Sequence, residues 1–178
     1  MLAAEFLDAV SDLSEFIVVG LPLHFLGTNK SCHRCHMDIV ELIKTAKIGR
    51  ERKDAQIDSC AAFAAALYDV LAENGFAPSM VTACYRGATV DSTWYHQVVQ
   101  VDGKMFDSLG EFSTQIMRDR LKVRPSSAYE LEYKPDRREG CYDEDDYQGV
   151  YDFLAKEFRK TAKKLKALEE DVPAFGMR

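Results

Sequence analysis

IDSCAAFAAALYDVLAENG, residues 57–75, reads as a helix with a cysteine in its first turn. Asp58 or Ser59 can serve as N-cap, and Asn74-Gly75 supplies a stop that tolerates left-handed backbone. Cys60, Phe63, Ala64, Leu67 and Leu71 fall on one face, which the helix should bury. Cys60 then sits at the helix N-terminus, where the partial positive charge favours thiolate over thiol. A cysteine alone on an apolar face is equally a small buried hydrophobe. A base and an orienting group are what would decide between the two.

Residues 94–110, WYHQVVQVDGKMFDSLG, contain both. Asp102-Gly103 between β-branched and apolar runs is a two-residue hairpin signal, pairing 97–101 with 104–108. In that register Val101 faces Lys104, Gln100 faces Met105 and Val98 faces Asp107. His96, Val98, Met105 and Asp107 share one side, with His96 and Asp107 as diagonal neighbours about 7–8 Å apart at Cα. One slip of register would separate them. Singly, His96 could be a hydrogen-bonded strand residue and Asp107 a cap for the Ser108-Leu109-Gly110 loop.

A thiol at a helix start, followed by an imidazole and a carboxylate on adjacent strands, is the nucleophile, base and orienting group of covalent acyl transfer. At these residues the chain resembles the papain-like cysteine peptidase superfamily, in the broad sense that includes transglutaminase-like domains. The resemblance covers about residues 56–110. It implies Cys60 as nucleophile, His96 as general base and Asp107 as orienting carboxylate. Papain has Gly-Ser-Cys-Trp where this chain has Asp58-Ser59-Cys60-Ala61. Its oxyanion-hole glutamine stands further upstream of the nucleophile than Gln56, the candidate here. The implied activity is hydrolysis of a peptide or amide through a thioester acyl-enzyme, or acyl transfer on the same triad, without a cofactor. Trp94, beside His96, is a candidate substrate wall, although strand aromatics also serve as packing groups.

The 178 residues are 47% hydrophobic and 29% charged, enough for one well-formed core. A net charge of −6 argues against a nucleic-acid surface. No stretch approaches the roughly 18 apolar residues of a membrane span, and the N-terminus lacks an export pattern, so the expected compartment is the cytoplasm. Five cysteines cannot all pair within one chain, and their spacing suggests reduced thiols.

Before the core, Phe6, Val10, Leu13 and Ile17 among acidic residues mark an amphipathic helix. Cys32-His33-Arg34-Cys35-His36 spells the c-type haem attachment string, which normally requires export, so no haem is expected. Its Cys-x2-Cys is also half of a zinc site. With the other half missing no metal is assigned, and Cys32, Cys35 and His36 are the residues to watch. A non-enzymatic alternative would use that cluster structurally and bind partners through the C-terminal helix. Residues 37–48 look helical with Gly49 as stop, and 49–53, GRERK, read as a solvated loop. Residues 78–85 and 129–133 read as strands. The charged run 115–140 carries no recognisable chemistry and reads as solvated surface. From about 143 to 171, Tyr147, Tyr151, Leu154, Phe158, Thr161, Leu165 and Leu168 form a heptad-like seam. It is expected to pack on its own domain rather than form a homo-oligomer.

These readings define an α+β fold: a small antiparallel sheet against the Cys60 helix, in a papain-like or transglutaminase-like core of about residues 56–110, flanked by N- and C-terminal helices. A single domain is expected over 1–178.

Overall fold

In the computed structural model, which describes residues 37–86, 94–121 and 130–170, the chain enters helix α1 (Ile39–Thr45) through a side-chain cap. Asp38 Oδ1 accepts from the N–H of Val40 at 2.8 Å and of Glu41 at 3.2 Å, satisfying two of the first-turn donors. All described residues belong to one compact unit, residues 34–178. The expectations for the N-terminal helix and for Cys32, Cys35 and His36 fall on residues outside the described ones.

α1 is shorter than expected, because Ala46 turns extended and allows Ile48 to insert into the core. The GRERK run is not a loop but a single helical turn, α2 (Glu51–Asp54). Arg52 is the reason, since its Nη2 donates to the carbonyls of Ile43 at 2.7 Å and Ala46 at 3.3 Å. Those acceptors lie at the C-terminal end of α1, where the last carbonyls have no intrahelical partner and Ala46 O accepts in addition from the Ile48 N–H at 2.9 Å.

α3 (Cys60–Glu73) follows with Ser59 at the N-cap position, though the Ser59 side chain makes no cap hydrogen bond. Its far end closes as a Schellman motif, with Gly75 at φ +84° and Phe76 N–H donating to Leu71 O at 3.1 Å. Strands β1 (Ser79–Arg86), β2 (Trp94–Val101), β3 (Lys104–Asp107), β4 (Gly110–Phe112) and β5 (Glu130–Asp136) form an antiparallel sheet ordered β4-β3-β2-β1-β5. Helix α4 (Thr114–Leu121) lies between β4 and β5 in the chain, and α5 (Glu144–Glu170) follows β5. Mixed α+β architecture with a small antiparallel sheet is thus what the chain forms.

Alternation along the strands sorts the core into two layers. Met80, Val99, Val101 and Phe106 join α1, α3 and α5 in the larger cluster, where Phe63 of α3 meets Phe158 of α5 edge to face at 5.4 Å. Val81, Ala83, Val98 and Phe112 face the other way and meet Met117 of α4. Leu154, Phe158 and Thr161 of the C-terminal stripe are buried within this chain, while Leu168 at 57% exposure runs past the body. Arg138, expected on a solvated surface, instead pairs with Asp69 of α3. Tyr151 of α5 donates to that same carboxylate at 2.6 Å. Among the described residues no helix is long and apolar enough to cross a membrane.

Candidate active site

The hairpin forms in the register its sequence specifies. Val101 pairs with Lys104, Gln100 with Met105 and Val99 with Phe106, across a turn in which Asp102 (φ +48°) and Gly103 (φ +79°) both adopt positive φ. That is the backbone of a type I′ turn, whose twist matches its flanking strands. His96 and Asp107 therefore share a side, and His96 Nε2–H donates to Asp107 Oδ2 at 3.2 Å. Both are sealed from water, at 3% and 1% exposure. With Nε2 engaged by the carboxylate, Nδ1 is the ring nitrogen left for a proton acceptor's role.

The ladder between β2 and β3 ends at Val99–Phe106. In an antiparallel pair every second residue exchanges both backbone bonds, so Gln97 and Ser108 would form the next bonded pair. Each has another partner. Ser108 O accepts from Arg52 Nη1 at 2.7 Å, and the Gln97 N–H is directed at the sulfur of Cys60. The thiol thus occupies a place where the ladder has parted, beside the His96 ring that the same strand carries. The Ala61 N–H, in the first turn of α3, also points to the sulfur.

Three ionisations support one another here. Burial pushes the Cys60 thiol up, but the hydrogen bond and charge of His96, with the two backbone N–H groups, outweigh it and hold the thiol below its ordinary value. Burial pushes His96 down, and Asp107 and Cys60 outweigh it, so the imidazole is held above its ordinary value. Burial pushes Asp107 up, and donors from His96, Arg120, Gln56 and the Leu109 N–H bring it below the usual carboxylate range. All three shifts run in the same direction, towards thiolate, imidazolium and carboxylate in a row.

Asp107 is held from all sides. Oδ2 accepts from Gln56 Nε2 at 3.0 Å, from His96 and from Arg120 Nη1, while Oδ1 accepts from the Leu109 N–H at 2.9 Å. Gln56, the expected oxyanion donor, gives its amide N–H groups to Asp107 and, at 2.8 Å, to Ser108 Oγ, and its Oε1 accepts from Arg120 at 3.2 Å. It supports the carboxylate and does not face the sulfur's substrate side with a spare donor. Trp94 opens β2 opposite Tyr85, and its side chain lies outside the described residues. Cys32, Cys35 and His36 lie outside them as well.

Arg52, Ser108 and Arg120 are the participants the sequence reading passed over. Arg120 had a legible signal. Ser113 accepts the Ile116 N–H at 3.2 Å as a helix cap, and a helix begun there puts Arg120 three residues beyond buried Met117, on the inward side. Comparisons with protein-family models, with curated proteins and with solved structures return no match.

Proposed function

We propose that this chain is a cysteine-dependent enzyme acting on amides, with a papain-like or transglutaminase-like core and Cys60, His96 and Asp107 as its triad. The observation that carries the reading is the run of interactions from a helix-terminal thiol through a buried imidazole to a carboxylate accepting four donors. A buried cysteine serving only as packing needs none of these partners.

In the acylation step the Cys60 thiolate attacks the carbonyl carbon, forming a C–S bond while the carbonyl π pair moves to oxygen. Backbone N–H groups at the start of α3 would stabilise that oxyanion. As the C–N bond breaks, imidazolium at His96 gives its proton to the departing amine, leaving a thioester. Water or a second amine then attacks the thioester, His96 takes its proton, and Cys60 leaves as thiolate. With water the net reaction is amide hydrolysis, and with an amine it is acyl transfer. Cys60, Cys84 and Cys141 are all free thiols, which suits a reducing compartment such as the cytoplasm.

The test is trapping with limiting iodoacetamide at neutral pH, followed by mass mapping. Cys60 should label ahead of Cys84 and Cys141, and His96→Ala should remove that preference in a folded protein. Labelling of another thiol first, or indifference to His96→Ala, overturns the assignment. Competition between water and a primary amine for the thioester then separates hydrolase from transferase.

A further inference from the structure

The cage around Asp107 contains one feature that orientation alone does not require. Asp107 could be held by Gln56 and the Leu109 N–H, both neutral donors, yet Arg120 is added to the oxygen that His96 already uses. Two cationic groups therefore compete for Asp107 Oδ2. Arg120 comes from the last turn of α4, and its side chain is 26% exposed. Its side chain donates to Asp107 Oδ2 and to Gln56 Oε1, and Asp107 Oδ2 links it to His96.

We propose that Arg120 is a positioning residue for the Cys60–His96 pair, sharing Asp107 Oδ2 with the imidazole so that it fixes the carboxylate and takes up part of its negative charge. This rests on the reading of Cys60 and His96 as a reacting pair. An unshared buried carboxylate would hold the imidazolium so firmly that His96 would give up its proton to a leaving amine reluctantly. A second cation a few ångströms away is a like charge to imidazolium, and like charges at this range disfavour protonation. Arg120 therefore keeps His96 able both to give and to take a proton near neutrality. Among the described residues, the titratable groups that act on His96 are Asp107 from β3 and Cys60 from α3. Tyr147 of α5 is raised above its ordinary value chiefly by Asp58, ahead of α3, with a smaller effect from the charge of Cys60.

The experiment is a titration of His96 by NMR in protein carrying ring-labelled histidine, its signal assigned by the loss in His96→Ala. Arg120→Gln keeps a donor for Asp107 and removes the charge, so the His96 midpoint should rise by about one pH unit. Arg120→Lys keeps the charge, and its midpoint should stay near that of the unsubstituted protein. A role in packing alone would leave all three curves superimposed, and that result, or a fall in Arg120→Gln, overturns the proposal. Should Arg120→Gln fail to fold, a rise of about one unit in Arg120→Lys overturns it equally. Failure of the underlying reading looks different: Cys60→Ala would then leave the His96 midpoint unmoved in an otherwise unsubstituted protein.

Discussion

Asp107→Asn is the substitution that most sharply divides a catalytic carboxylate from a structural one. Oδ1 accepts the Leu109 N–H, which fixes where an asparagine oxygen would sit and puts the new NH2 in place of Oδ2. That NH2 would face Gln56 Nε2, Arg120 Nη1 and His96 Nε2, all donors in the native arrangement. Only His96 can adapt, by moving its proton to Nδ1 so that Nε2 accepts. The ring then presents a proton, not a lone pair, to Cys60, and the thiol cannot pass its own proton on. For a wrong-tautomer triad the expected loss in turnover is about 10⁴-fold. Without its imidazolium partner, Cys60 reverts towards an ordinary thiol. Only about 3% of that is thiolate at pH 7, so alkylation should slow by up to about thirty-fold. The fold loses less than the chemistry does. Breaking a buried ion pair costs about 3–5 kcal/mol, but Arg120 can turn its exposed part to water, so about 2–4 kcal/mol is expected in urea unfolding. The assay is the iodoacetamide rate of Cys60 across pH, with the unfolding curve measured on the same sample. A folded Asp107→Asn that labels at the unsubstituted rate refutes the reasoning.

Two further outcomes follow from the packing and the titrations. Leu154→Ala removes a fully buried side chain between α5 and the α1/α3 layer and should cost about 2–5 kcal/mol; an unfolding midpoint that also depended strongly on protein concentration would show α5 to be an oligomer contact instead. Asp69 and Asp107 are both held below the usual carboxylate range, Asp69 by Arg138 and Tyr151 against the opposing effect of burial. The unfolded chain therefore binds protons more tightly, and the stability these groups contribute is complete above about pH 4 and lost as pH falls through their lowered folded values. Urea midpoints between pH 2 and 6 should decline on the acid side, and Asp69→Asn should flatten that decline.

What the sequence made legible was local. Asp102-Gly103 determines a two-residue turn, the turn determines the register, and the register puts His96 and Asp107 on one side, so each step follows from the one before. The stop at Asn74-Gly75 and the buried stripe of α5 were readable for the same reason, since each depends on residues within a few turns of itself. Arg52 and Arg138 were not. Each looks like a solvated charge in its own window, and each is drawn inward by acceptors contributed from elsewhere: the Ile43 and Ser108 carbonyls, and the Asp69 carboxylate. The cap at α3 shows the opposite failure. Ser59 has the right identity and position, yet its hydroxyl makes no cap bond. Propensity identifies which groups could cap, while the fold decides which first-turn donors are needed elsewhere, and here the Ala61 N–H is directed to the sulfur.

The parting of β2 from β3 links the fold to the chemistry. Had the ladder run on by one more bonded pair, the Gln97 N–H and the Ser108 carbonyl would have satisfied each other, and the thiol would have lost the Gln97 donor. Separating them frees the N–H and C=O of both residues, and each such group costs about 1–3 kcal/mol if it is buried and left unpaired. Arg52 supplies one side, giving Nη1 to Ser108 O while Ser108 Oγ donates to Arg52 O at 2.7 Å. Cys60 supplies the other, and a thiolate is a stronger acceptor for the Gln97 N–H than a thiol would be. The same exchange that opens the strand edge thus favours the ionised sulfur. The one-turn helix α2 is what makes the exchange stable, because its Arg52 is anchored at the end of α1 before it reaches the strand. A segment that reads as charged linker therefore helps to hold open the strand edge at which Cys60 sits.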